Sequence, residues 1–208
     1  MRMAWKIAGT GVSLGMLLSC GDPVPPAAQA GISIHLQRYD PMDPVYGKTD
    51  CPPDRHWVNV PYDKNRTPTS QAQLTDANQA TRAVNNQDGN AISCSVQPSG
   101  GGFNVKGSGQ GYAEFDGRKY KPSIVHIRIP AIAEGDSNAK GTISIQDDAS
   151  LNPYTSDECS YSVQGGNFGV EAGKIWGSVT CQNLTDPKAL NAACHVDTGF
   201  FVFENCAK

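Results

Sequence analysis

Aromatic residues are scarce, 8 % of the chain, and 22 glycines and 14 prolines occupy positions that cannot fill a core. The core is therefore expected to be thin for the chain's length, and crosslinks are needed to compensate. Basic residues are outnumbered, 17 Lys and Arg against 20 Asp and Glu. That balance argues against nucleic acid and against a broad anionic lipid surface as partners. No Cys-x-x-Cys pair occurs and no two histidines stand three or four apart, so the common zinc spacings are missing. A Gly-x-Ser-x-Gly nucleophile elbow is also lacking. Gly107-Ser108-Gly109-Gln110-Gly111 has neither the spacing of a dinucleotide fingerprint nor the lysine of a phosphate loop. A bend or bulge between two strands is expected there.

What is present begins with the first twenty residues. Arg2 and Lys6 precede an apolar segment from Ile7 to Leu18, which ends in Leu17-Leu18-Ser19-Cys20. The segment is too short to span a membrane, and the order of charged, apolar and small-residue zones is that of a signal peptide. Leu17 to Cys20 resembles the lipobox of bacterial lipoproteins. The resemblance implies cleavage before Cys20, diacylglycerol on its thiol and acylation of the new amino group. Two or more acyl chains anchor a protein stably where one does not. Loss of Arg2 and Lys6 with residues 1–19 would take the formal charge from −3 to −5, so membrane attachment is expected to be covalent.

Six cysteines remain after Cys20: Cys51, Cys94, Cys159, Cys181, Cys194 and Cys206. In an exported chain an even number predicts three disulfides, and the sequence leaves their pairing open among 15 connectivities. Gly21 to Ala30, rich in proline and alanine, reads as a tether over residues 20–30 that lifts a domain of residues 31–208 off the membrane.

Within that domain apolar residues alternate with polar ones at period two, the mark of a half-buried strand. The pattern runs through Ile32, Ile34 and Leu36; Ile92, Cys94 and Val96; Val125, Ile127 and Ile129; Ile143 and Ile145; Cys159, Tyr161 and Val163; and Ile175, Val179 and Cys181. Ser99 to Gly102 turns one strand into the next, and Phe200 to Phe203, apolar on both faces, predicts a central strand. Three cysteines fall on inward faces, so buried bridges from sheet to sheet are expected. Helical signal is confined to Asp186-Pro187, a cap that predicts a turn or two over Lys188 to Ala193, and to a weak, exposed stretch from Ser70 to Val84. The expectation is an all-β fold, an antiparallel β-sandwich of jelly-roll type stapled by disulfides, with at most one or two short helices.

No catalytic constellation and no cofactor emerge from these residues. His35 and His126 fall on polar strand faces, His56 lies beside Trp57, and His195 follows Cys194, with no spacing that gathers them on a metal. Asp40, Asp43 and Asp50 occupy an irregular loop without a calcium-binding register. Asp147-Asp148 reads as a turn. Trp57, Tyr62 and Trp176 fall where loops or outer faces are expected; such aromatics suit sugar or protein recognition, and closure of the sandwich ends over the core is the favoured reading.

Ala91 to Val96, Lys174 to Cys181 and Phe203 to Cys206 resemble pieces of small lipoproteins and secreted proteins of myxobacteria-like Gram-negative bacteria. That resemblance implies a fold and a location rather than an activity. The sequence thus points to a lipid-anchored cell-envelope protein, non-enzymatic, structural or binding an envelope protein or glycan, with the outer membrane slightly favoured. The alternative is a lipid-anchored hydrolase of cell-wall or extracellular glycans.

Overall fold

The computed structural model describes residues 25–40, 42–45, 51, 56–61, 81–115, 118–146, 152–189 and 192–208. Its strands are β1 (Gln29–Gln37), β2 (His56–Val60), β3 (Ala83–Val84), β4 (Ala91–Ser99), β5 (Gly102–Phe115), β6 (Arg118–Ile132), β7 (Ala139–Gln146), β8 (Tyr154–Ser162), β9 (Gly169–Glu171), β10 (Lys174–Thr185) and β11 (Ala193–Glu204). The alternating apolar positions are the buried ones throughout. β4 turns into β5 through Gly100 and Gly101, both at positive φ, in the two-residue hairpin that matches strand twist.

Every pair of these strands is antiparallel, and hydrogen bonding runs through one continuous sheet in the order β2-β1-β11-β10-β8-β7-β6-β5-β4, with β3 added to β1 and β9 to β10. β4 to β8 follow one another as a meander that β10 and β11 continue, and the N-terminal hairpin β1–β2 docks on β11. The predicted all-β, antiparallel, disulfide-stapled chain is what the structure presents. Its form is a curled sheet, a half-barrel, because period-two alternation reports one buried face and does not distinguish two stacked sheets from one that bends over itself. The curl brings β5 against β1, β2 and β11: a Cβ on Gly107 would meet the Phe203 ring, and one on Gly109 would meet Ile32 and Val60. β11 is central, flanked by β1 and β10, and Phe201, Val202 and Phe203 are all buried.

Three expectations change here. Gly107 to Gly111 is not a bend between strands but the middle of β5, paired to β4 on one side and β6 on the other. Gly107 and Gly109 take inward positions of the alternation, where the opposite wall stands too close for a side chain. No helix occurs among the described residues; after Asp186 the Ala189 amide bonds the Asp186 carbonyl and the Ala192 amide the Ala189 carbonyl, each at 3.2 Å, and the amide of Asp186 is bonded to the Ala192 carbonyl at 3.0 Å. The first strand, read from the alternation beginning at Ile32, starts at Gln29, within the residues expected to form a tether, where Gln29 and Ala30 pair with Glu204 and Phe203 on one side and Val84 and Ala83 on the other.

The six cysteines form three bridges, Cys51–Cys194, Cys94–Cys206 and Cys159–Cys181. Cys159 and Cys181 lie across neighbouring strands β8 and β10, with Cα atoms 4.4 Å apart. Cys94–Cys206 instead ties the edge strand β4 to the tail that follows β11. That tail pairs with β4: Val96 N donates to the Ala207 carbonyl at 2.9 Å, and Ala207 N to the Cys94 carbonyl at 3.0 Å.

Candidate functional site

The β7–β8 ladder carries a bulge. Gly141 pairs with Cys159 and Ile143 with Ser156, so Thr142 alone opposes both Asp157 and Glu158. Next to it the β8–β10 ladder is interrupted between the Thr180–Ser160 and Thr185–Thr155 pairs. A bulge bends its strand and re-aims side chains, and the outer face is hollowed at this place. One recess of about 700 Å³ is lined by Lys140, Ser156, Asp157, Glu158, Gln182 and Asn183 among others. A second, of about 500 Å³, is lined by His126, Arg128, Thr142, Ser144 and Asp157. The two adjoin, since Thr155, Ser156, Asp157 and Thr185 line both.

The same outer face carries a row of hydroxyls. Ser93, Ser108, His126, Ser144, Thr155 and Thr185 stand directly opposite one another across β4, β5, β6, β7, β8 and β10. At the strand spacing of about 4.8 Å, the row extends roughly 24 Å. Parallel to it, Ser95, Lys106, Arg128 and Thr142 form a second row.

Toward β1 the face becomes aromatic. His35 stacks on Trp57 with ring centroids 4.7 Å apart and planes 8° from parallel, and the Gln37 amide donates to His35 Nδ1 at 2.7 Å. His195, directly opposite Gln37, packs against Tyr39 and lies 3.2 Å from Asp197. The Tyr39 hydroxyl donates to the carbonyls of Gln182 and Cys194, so the aromatic end adjoins the recess.

Of the residues the sequence singled out, Trp57 is half-buried in this face. Trp176 is not exposed as expected: it is 3 % accessible, covered by Phe168, whose ring stands 5.5 Å away and itself packs on Phe200. Tyr62, Cys20, Asp50, Asp147 and Asp148 lie outside the described residues. His35 and His195 come together on β1 and β11, whereas His126 stands apart on β6. Asp40 and Asp43 accept from the Met42 and Val45 amides, each at 2.8 Å, in successive loop turns. No group of three metal-ligating side chains occurs among the described residues.

Asp186, between β10 and β11, has its carboxyl held below the usual carboxylate range, chiefly by the Lys188 amide, with Asn152 and the Ala189 amide assisting against the opposing effect of burial. In the core, burial pushes the Tyr161 phenol far above its ordinary value, and its hydroxyl donates to the Thr142 carbonyl at 2.8 Å.

The hydroxyl rows and the recess were missed in the sequence because each outward serine or threonine, taken singly, is an ordinary solvated position. Their signal is collective: the outward positions of β4 and β7 are Ser93, Ser95 and Gln97, and Thr142, Ser144 and Gln146. Comparison with known proteins gives no match to this chain among family models, curated proteins or solved structures.

Proposed function

We propose that this protein is a non-enzymatic, lipid-anchored module of the bacterial cell envelope that binds a polyhydroxylated envelope component on its outer sheet face. The observation that carries the reading is the direction of that face. Residues 25–28 enter at the start of β1, where Asn205 holds the Ala27 carbonyl and Asn85 the Ala28 carbonyl. From Gln29 to Gln37 β1 climbs about 27 Å at the usual rise per residue. Pairing then sets Gln37 beside His195, Ala193 beside Thr185, and Thr185 beside Thr155. The recess and the Trp57–His35 pair therefore lie toward the end remote from the entering chain. With acyl chains on Cys20, that end points away from the bilayer.

The chemistry of the face suits a glycan. Hydroxyl, amide and carboxylate groups exchange hydrogen bonds with sugar hydroxyls, and an aromatic ring beside them offers an apolar platform. Binding is favoured over hydrolysis because Asp157 and Glu158 are consecutive on one bulged strand, whereas glycosidases flank the scissile bond with two acids. The opposed walls of the curled sheet serve as a sandwich-like, jelly-roll scaffold for this face, and the outer membrane is the proposed address. The test is co-sedimentation of the purified protein with isolated cell-wall material and with whole envelope polysaccharide. Wild type is expected in the pellet and Thr155→Trp, at an outward position that lines both recesses, in the supernatant. Equal distribution of the two would overturn the reading.

A further inference from the structure

Lys106 of β5 and Arg128 of β6 are directly opposite each other and both exposed on the outer face. Directly opposed strand residues have Cβ atoms about 4.5–5.5 Å apart, and like charges in that relation destabilise a sheet. Among the described residues neither has an ion-pair partner: Glu204 is matched with Arg82 and Lys174, and Asp197 with His195. His126, two residues before Arg128, lies on the same strand face. The chain as a whole is acidic, so this local concentration of positive charge runs against its balance.

Hydroxyls frame the pair. Ser95 stands beside Lys106, Thr142 beside Arg128, and Ser108 beside His126, while Arg128 and His126 form one wall of the smaller recess. An unpaired cation flanked by hydroxyl donors and acceptors recognises an anion carried on a hydroxyl-rich frame. Arginine adds a planar fork that fits a carboxylate in two-point contact. The spacing between strands, about 4.8 Å, is close to the length of one pyranose unit, so an extended chain lying across β4 to β7 along this row meets a hydroxyl or a cation at each sugar.

Resting on the glycan-binding reading, we infer that the ligand is an acidic polysaccharide, a chain bearing carboxylates, that crosses β4 to β7 with one carboxylate on Lys106 and Arg128 and stops short of the Asp157 and Glu158 carboxylates of β8. The test is calorimetric titration of the purified protein with oligogalacturonate, and in parallel with a neutral malto-oligosaccharide of the same length. Oligogalacturonate is expected to bind at least tenfold more tightly, to weaken as salt is raised, and to lose that advantage in Lys106→Gln/Arg128→Gln. Both residues are exposed and their like-charge opposition is removed, so the variant is expected to melt at or slightly above the wild-type temperature. Equal binding of the two oligosaccharides, unaffected by the double substitution, would overturn the acidic ligand and leave the glycan-binding reading standing. Binding of neither oligosaccharide, with capture on anionic phospholipid vesicles instead, would overturn both.

Discussion

Gly107 of β5 lies against the ring of Phe203 of β11: a Cβ built on the glycine falls 2.4 Å from both Cε2 and Cζ of the phenylalanine. The contact spans the interior of the curled sheet, from the second strand at one end of the hydrogen-bonded order to the third from the other. It explains a thin core. With few aromatics available, the walls approach until the backbone of one strand touches the side chains of another.

Gly107→Ala is therefore expected to destabilise the fold by overpacking, about 1–3 kcal/mol, or a melting temperature lower by roughly 3–10 °C. Adding Phe203→Leu should soften the clash, so the double variant falls short of the sum of the singles by about 1 kcal/mol. Thermal unfolding of the four proteins checks this, and strict additivity would contradict it.

The Cys94–Cys206 bridge closes a loop of sequence separation 112 and pins the tail to the edge of β4. Replacing both cysteines by serine is expected to lower stability by about 2–5 kcal/mol. The tail amide of Ala207 and the β4 amide of Val96, which bond across this seam, should lose hydrogen-exchange protection before those of β10. Unchanged protection at Val96 would show that the tail holds without the bridge.

Asp186 gives a pH dependence of known sign. Its carboxyl titrates lower in the folded chain than in the unfolded one, so it stabilises the fold fully above its unfolded pKa, about 3.9. That contribution is lost as pH falls through the lower folded value. Asp186→Asn keeps an oxygen for the Lys188 amide and removes the titration. Denaturant unfolding at stepwise lower pH should show the variant's stability falling less steeply than the wild type's below about pH 4; parallel curves would contradict the assignment.

Under the proposed cleavage before Cys20, Trp57 and Trp176 are the tryptophans that remain, and they differ in environment. Trp176, 3 % accessible under Phe168, should be shielded from acrylamide in Trp57→Phe, whereas Trp57 should be quenched readily in Trp176→Phe. Fluorescence quenching reads this directly, and similar quenching constants for the two variants would contradict the packing.

The strands were legible in the sequence wherever alternation ran for three or more apolar positions, as in Ile32 to Leu36 or Val125 to Ile129, because one face is buried there. β2 escaped notice since Val58 and Val60 alone cannot establish a period. The glycines of β5 misled because a missing side chain looks the same in a bend and beneath an opposing ring. Trp176 misled for a related reason: its outward position on β10 is covered by Phe168, brought back by the Gly165–Gly166 turn, and no local pattern announces that return. The candidate site was the least legible part. Its rows are assembled from single residues of six strands, so register, which sequence leaves open, decides whether Lys106 meets Arg128.

The account depends on a chain anchored by lipid at Cys20 and closed by its six remaining cysteines. Intact mass of the protein purified from the envelope, after alkylation under denaturing but non-reducing conditions, tests both at once. The expected mass begins at Cys20, includes acyl chains, and shows no alkylated thiol. A mass beginning elsewhere or lacking acyl groups, or one carrying alkyl groups on the cysteines, would contradict it.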